Sequence, residues 1–361
     1  MNIPFLKSIF GPANYLGVDI GTTSIKIVDI AKTSAGKKPR LKNYGFLESY
    51  GHLERLNNAI QTSSLKMMDK DTAELLKMLL GHLKSNTKEV VASLPTFLAF
   101  ITLLEVPIMT EGETGQAMQY QARQYVPIPI SEVSIDWIKV GEREDEQGVK
   151  KQQILLVSVP NDYIRKYQNI FKMAGLKLVA LEIEGMSMTR SLIAGDPTAT
   201  LIVDIGARST SISVADKGFL KMSNQTDFSG GSLTNALAGS LGISTRRAEN
   251  LKKQRGLSGS GGEYELSTIL LPFLDAIIGE VKRVQSIYET NYSGKIERVI
   301  LAGGGANLLG IEKYFEEQFG LPTVKADPFR MVSYAPEIEP LARTLGSSFS
   351  VAIGLGIKHF V

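Results

Sequence analysis

Two segments of the chain place an acid two residues before a glycine at the end of an apolar run. The first reads Gly17-Val18-Asp19-Ile20-Gly21-Thr22-Thr23-Ser24-Ile25-Lys26-Ile27-Val28. The second reads Val203-Asp204-Ile205-Gly206-Ala207-Arg208-Ser209-Thr210-Ser211-Ile212-Ser213-Val214. These residue types suit phosphate chemistry. Glycine lets backbone approach a phosphate with no side chain in the way. Exposed amides and small hydroxyls then donate to the phosphate oxygens. An acid at the strand end can hold Mg²⁺ through water or orient an attacking water. Asp19 and Asp204 are thus the candidate catalytic and metal-holding acids. Gly21, Thr22 and Thr23 form one candidate phosphate cradle, and Gly206, Ser209 and Thr210 the other. Lys26 is the nearby base, and a lysine on an outgoing strand can equally point to solvent.

Apolar alternation after each turn (Ile25, Ile27; Ile212, Val214) has the period of a strand, so each cradle reads as a β-hairpin. No Gly-x-x-x-x-Gly-Lys-Ser/Thr segment occurs, which excludes the strand-to-helix phosphate loop. One such hairpin could be a plain turn. Two copies half a chain apart predict an internal duplication, with two like domains facing each other across a cleft. A third element, Arg298 to Asn307, reads as a strand running into Gly303, Gly304 and Gly305, with a helix starting near Asn307. Three glycines exceed what one turn needs and suit backbone lying flat on a purine or ribose.

Composition narrows the class. The chain has 361 residues, 43% hydrophobic and 21% charged, with a net charge of +3. That length allows two to three domains, and that charge supplies no strong field for nucleic acid. There are no cysteines, and the three histidines (His52, His82, His359) are scattered. Disulfides, thiol catalysis and cysteine-based metal sites are therefore excluded. No run reaches the roughly 18 apolar residues of a spanning helix, and the N-terminus lacks a signal peptide, so a cytoplasmic protein is expected. The short apolar stretch Ile3 to Phe10 reads as an end folded against the body, with contact to a membrane or partner as the alternative.

The motifs resemble the actin-like ATPase superfamily. Asp19 to Thr23 looks like its first phosphate motif, Asp204 to Thr210 its second, and Gly303 to Asn307 its adenosine motif. Leu181 to Ser187 looks like its first connecting helix, with Glu184 where the γ-phosphate water would be faced. Within the superfamily, nearly the whole chain resembles the PilM family of type IV pilus assembly proteins, on the FtsA-like branch. Ala117 to Ile130, Asp136-Trp137, Val157 to Pro160, Ala174 to Leu176 and Val351 to Gly356 carry that likeness. Gly230 to Leu237 and Ala248 to Lys252 resemble its nucleotide-side helices, where Gly231 would lie at the nucleotide and Glu249 and Lys252 would face ribose and base. Gln121 and the bulky Arg208 depart from the pattern.

The resemblance implies an α/β fold of duplicated ribonuclease-H-like domains around a nucleotide cleft, with an inserted α+β subdomain. The division read from the sequence is an N-terminal segment 1–12; a first domain of 13–97, 179–200 and 336–361; an insertion at 98–178; and a second domain at 201–335, with a nucleotide-side part at 225–295. ATP and Mg²⁺ are the implied cofactors. The implied partner is the N-terminal cytoplasmic peptide of the inner-membrane protein PilN, which would hold the chain at the inner membrane. Self-association is compatible with the family, and whether ATP is hydrolysed or only sensed stays open. The rivals are an FtsA-like filament protein, a small-molecule kinase of the same superfamily, and a scaffold with an empty cleft.

Overall fold

The alternating residues after each Asp-Ile-Gly do form strands. The structure, a computed structural model, describes residues 14–48, 69–144, 147–257, 264–292 and 294–361. The apolar N-terminal stretch and most of the glycine loop 256–262 lie outside them. β1 (Asn14–Ile20), β2 (Ser24–Ala31) and β3 (Arg40–Glu48) make an antiparallel meander. After α1 (Asp69–Leu83), β4 (Glu89–Leu94) returns parallel to β1. A three-stranded antiparallel sheet follows, built from β5 (Phe100–Pro107), β6 (Val133–Glu144) and β7 (Lys150–Pro160) in the order β5-β7-β6, with α2 (Glu111–Tyr125) packed on it. Leu104, Met118, Ala122, Ile154 and Leu156 fill its small core. Then come α3 (Asn161–Met173), β8 (Lys177–Ile183) parallel to β4, and α4 (Glu184–Leu192).

The pattern then repeats. β9 (Thr200–Ile205), β10 (Thr210–Asp216) and β11 (Phe219–Thr226) form a second meander. The helices α5 (Gly230–Leu241), α6 (Thr245–Arg255) and α7 (Tyr264–Tyr292) lead to β12 (Arg298–Ala302), parallel to β9. α8 (Ile311–Phe319) connects it to β13 (Thr323–Lys325), and α9 (Glu339–Leu345) and α10 (Ser350–Gly356) close the described chain. The sheets are ordered β3-β2-β1-β4-β8 and β11-β10-β9-β12-β13. Each is three antiparallel strands extended by two parallel ones, which is the expected duplicated α/β fold. Among the described residues no helix is long and apolar enough to cross a membrane.

Contacts group residues up to Leu94 with 166–192 and 326–361, and residues 95–165 with 193–325. In the first unit α10 packs directly on β1. A Cβ on Gly17 would stand 2.2 Å from the Ala352 carbonyl oxygen, so only glycine permits that approach. Buried Glu182 accepts two bonds from the Arg190 guanidinium and one from Lys358 Nζ at 2.8 Å. Burial alone would raise the Glu182 pKa, but these two cations outweigh it and lower it. In the second unit the buried stripe of α7 is Leu270, Leu274, Ile277, Val281, Val284 and Tyr288. Steps of three and four residues hold this one face, and Ile287 is only half-buried at its margin. The final helical region is divided into α9, a short 3₁₀ turn and α10.

Within the second unit, residues 95–165 are tied to β11 by a buried lysine. Lys221 on β11 is 2% exposed and donates to Val140 O at 2.6 Å and to Gln153 Oε1 at 2.9 Å. It enters where the β6 register shifts between Lys139 and Gly141, and a side chain at Gly141 would collide with its Nζ. Both acceptors are neutral. Burial, countered in part by the charge of Asp216, brings its pKa down to about 8 from 10.5. The folded chain therefore binds this proton more weakly than the unfolded one, so this group adds stability as pH rises from about 8 toward 10.5. The Lys221→Met variant should lose that gain. Melting curves at stepped pH should show wild type catching up with or overtaking the variant through this range, and parallel curves would refute the assignment.

Candidate functional site

The two hairpin tips have the same geometry. Gly21 N–H donates to Ser24 O, and Gly206 N–H to Ser209 O, each at 2.9 Å. Ile20 lies opposite Ile25, and Ile205 opposite Thr210, so each tip spans the same number of residues. Among the described residues, the amides of Thr22, Thr23, Ala207, Arg208 and Ser209 donate to no protein acceptor. Unpaired amides bunched at a glycine turn form an anion-binding concavity.

At the first tip Asp19 is 4% exposed. Lys26 Nζ, directly across the ladder, meets its Oδ2 at 2.9 Å, and Ser93 Oγ donates to its Oδ1 at 2.9 Å. Lys26 therefore faces the acid and not the solvent. Ser93 lies near the end of β4 beside β1, and no motif announced it. Glu184 is half-buried and opens α4. The connecting helix expected over Leu181–Ser187 begins only there, because β8 runs on to Ile183.

At the second tip the backbone is held from behind by α5. Gly230 N–H and Gly231 N–H donate to Gly206 O and Ala207 O, each at 2.9 Å, and Ser229 Oγ donates to Ala207 O at 3.1 Å. A Cβ on Gly231 would stand 2.4 Å from Ala207 O. Gly231, expected at the nucleotide, thus supports the loop. Thr210, expected at the phosphates, is fully buried and gives its hydroxyl to Phe228 O at 2.7 Å. Ser209 and Arg208 are half-buried, and Arg208 has no ion pair or hydrogen bond among the described residues.

Glu249 and Lys252, expected at ribose and base, engage each other. Lys252 Nζ lies 2.7 Å from Glu249 Oε2 and donates to Gly230 O and Thr234 Oγ1 at 2.8 Å. Thr234 also donates to Glu249. Burial pushes the Glu249 pKa up, but Lys252 overcomes this and leaves it lowered. The pair clamps α6 to the first turn of α5, which holds the tip.

The three glycines do three different things. Gly303 has φ +78°, and a Cβ there would lie 2.2 Å from Asp204 Oδ1. A Cβ on Gly305 would lie 2.3 Å from Ile205 Cγ2. Gly304 is exposed, and a Cβ there would meet nothing within 4 Å. Gly303 and Gly305 therefore let the turn press against the Asp204 strand, and Gly304 leaves an open face. Asn307 ends a 3₁₀ turn and accepts from Lys325 Nζ at 3.4 Å, and the helix expected from Asn307 begins at Ile311.

Among the described residues no three acids or histidines cluster as a ready-made metal site. Asp19 already holds Lys26 and Ser93. This donor set fits Mg²⁺ arriving with phosphates, since that ion keeps several waters and takes only one or two carboxylates.

The chain matches the family model described as Type IV pilus assembly protein PilM over residues 17–360. It superposes on the PilM-PilN type IV pilus biogenesis complex with a TM-score of 0.80 at 22% identity, over 97% of this chain and 100% of that one. Ethanolamine utilization protein EutJ from Carboxydothermus hydrogenoformans gives 0.56 at 17% identity, over 97% and 91% of the two chains. MreB5 of Spiroplasma citri, solved bound to ADP, gives 0.54 at 16% identity, over 95% of each. At these identities the likenesses show the fold, which is actin-like.

The unequal roles of the glycines can be measured. Gly303→Ala should cost about 2 kcal/mol or more, from the positive φ and the collision with Asp204. Gly304→Ala should stay within about 0.5 kcal/mol of wild type. Urea unfolding of the two variants decides, and equal losses would mean that the turn does not press on the Asp204 strand.

Proposed function

The chain belongs to the PilM family of type IV pilus assembly proteins, and from that premise we propose that it binds ATP and docks the cytoplasmic N-terminal peptide of the inner-membrane protein PilN. The observation that carries the nucleotide reading is the matched pair of hairpin tips, each presenting amides with no acceptor in the protein. Thr22 and Thr23 add hydroxyls at the first tip, and Ser209 one at the second. Arg208 adds a guanidinium, which suits phosphate oxygens in paired hydrogen bonds. Gly304, with its open face, and Asn307 lie where the family resemblance puts the adenosine.

Mg²⁺, brought by the nucleotide, would be held through water by Asp19 and Asp204 and would neutralise phosphate charge. Lys26 and Ser93 each hold one oxygen of the buried Asp19 and so keep it aimed. Gly303 and Gly305 set the height of Asp204. Glu184 is the carboxylate that would orient an attacking water. Binding needs only the tips, whereas turnover needs Glu184 aligned as well. Slow hydrolysis beside firm binding is the expected balance.

The docking reading is supported by the segment 98–178. Its three-stranded sheet has a core of its own, and Ile108, Tyr120 and Tyr125 stand exposed around α2. Exposed aromatic and aliphatic groups suit a peptide with an apolar face. The PilM-PilN complex, whose fold this chain shares, unites a protein of the family with PilN. Such docking would place the chain at the cytoplasmic face of the inner membrane, held through its partner.

Calorimetry with Mg²⁺ and ATP tests the first half. Asp19→Asn and Asp204→Asn should each weaken binding about ten- to a hundredfold, as expected for lost charge-assisted bonds. Wild-type binding below detection would leave the chain a scaffold that keeps the motifs without the ligand. Hydrogen exchange tests the second half. The N-terminal cytoplasmic peptide of PilN should slow exchange within 98–178, and protection confined to 201–335 would move the docking site away from the insertion.

A further inference from the structure

The first sheet ends, away from its hairpin tip, in a surface of one charge. The register sets that end. Asn14 opens β1 opposite Ala31, the last residue of β2, and Ala31 pairs in turn with Arg40, the first of β3. The β2–β3 loop therefore lies there, and so does the turn from α1 into β4, because Leu16 pairs with Val90. Lys32, Lys37, Lys38 and Arg40, on the loop and its exit, are exposed, as are Lys42 on β3 and Lys84 and Lys88 on the turn. Among the described residues none of these side chains makes an ion pair. Asn14, Lys42, Lys84 and Lys88 line one cavity of about 340 Å³, which brings the segments together. The acids lining it are engaged. Asp29 is 1% exposed and accepts from Ser85 Oγ at 2.6 Å and Thr87 Oγ1 at 3.1 Å, and Glu89 pairs with Lys177 at 3.0 Å. No acid occurs in residues 30–47 or 75–88. The whole chain carries only +3, so this is a local concentration of positive charge.

The same end is where the chain enters the fold. Residues 1–13, outside the described residues, join β1 at Asn14. They hold Ile3, Phe5, Leu6, Ile9 and Phe10, one base, Lys7, and no acid. A short apolar segment alone holds a bilayer only marginally, and a basic patch beside it supplies the second attraction. Each Lys or Arg near an anionic leaflet strengthens that attraction. A free phosphate or a nucleic acid would use the cations and leave the apolar side chains unused. We propose that this end of the first unit docks directly on an anionic lipid surface. The apolar side chains of Ile3 to Phe10 enter the headgroup layer, and the cations of the β2–β3 loop, β3 and the α1–β4 turn meet the lipid phosphates. This contact adds to any hold through a partner and is independent of the nucleotide and peptide readings.

The test is co-sedimentation of the full chain, without nucleotide or partner peptide, with two kinds of vesicle: phosphatidylcholine and phosphatidylglycerol in equal parts, and phosphatidylcholine alone. The expected result is retention on the mixed vesicles only, weakening as salt screens the patch. Lys37→Gln, Lys38→Gln and Lys42→Gln together should weaken retention about a hundredfold, at about fivefold for each charge removed. These side chains are exposed and make no ion pair, so the melting temperature should stay at that of wild type. Deleting residues 2–11 should weaken retention as well and leave the preference for the anionic vesicles. Wild type that sediments with neither vesicle, or with both alike, would overturn the docking. So would retention that salt does not reduce, a triple variant that binds as wild type does, or a deletion that costs nothing. Wild type that shifts duplex DNA at concentrations where it leaves the mixed vesicles free would overturn it in favour of a nucleic-acid contact.

Discussion

The candidate site depends on amides left without acceptors at the tips of two hairpins. A backbone N–H that donates to nothing is tolerated only where water or a ligand reaches it. The tips keep their shape because other groups on the same residues are tied down. Gly21 and Gly206 each close the tip by donating across it, and at the second tip the carbonyls of Gly206 and Ala207 are held by α5. With carbonyls fixed on one side, the amides have no intramolecular use. Ser229, Gly230, Gly231, Glu249 and Lys252 all follow from that need. They form a layer that holds the carbonyls in place.

The two halves reach the same tip by different means. The first uses side chains, with Lys26 across the strand pair and Ser93 from the neighbouring strand fixing Asp19. The second uses the start of a helix and a glycine turn, with Ser211 in the cross-strand place opposite Asp204 that Lys26 takes opposite Asp19. Duplication has therefore preserved backbone geometry more closely than chemistry. Of the cations at the two tips and behind them, Lys26 and Lys252 are committed to acids, while Arg208 is not. The departure from the family pattern at Arg208 is thus the place where the second half carries its charge.

Much of this was legible in the sequence because it is local. A glycine after an apolar strand, followed by alternation, specifies a hairpin within a dozen residues, and a repeat of that pattern specifies the duplicated sheets. What could not be read is what depends on distant partners. Thr210 and Ser209 are adjacent in a motif, yet strand pleating turns Thr210 inward to Phe228 O while Ser209 stays at the tip. Glu249 and Lys252 sit three residues apart, a spacing that serves an ion pair as well as a ligand, and their pairing shows only once α6 packs against α5. Ser93 belongs to no motif. It matters only because β4 is brought beside β1.

The pairing of Asp19 with Lys26 bears on what the first tip is for. An ion pair this buried is weak evidence for stability, since desolvation offsets most of the attraction. A hydrophobic pair of similar volume would pack the same space at least as well. Retaining the pair makes sense if the carboxylate must keep one orientation while a ligand brings charge beside it. Lys26 holds one of its oxygens and Ser93 the other. An acid with both oxygens engaged has little pull on a free divalent ion, but it can still accept from the waters of an ion delivered on a phosphate. The first tip is in that respect suited to reading whether nucleotide is present and poorly suited to storing metal in its absence.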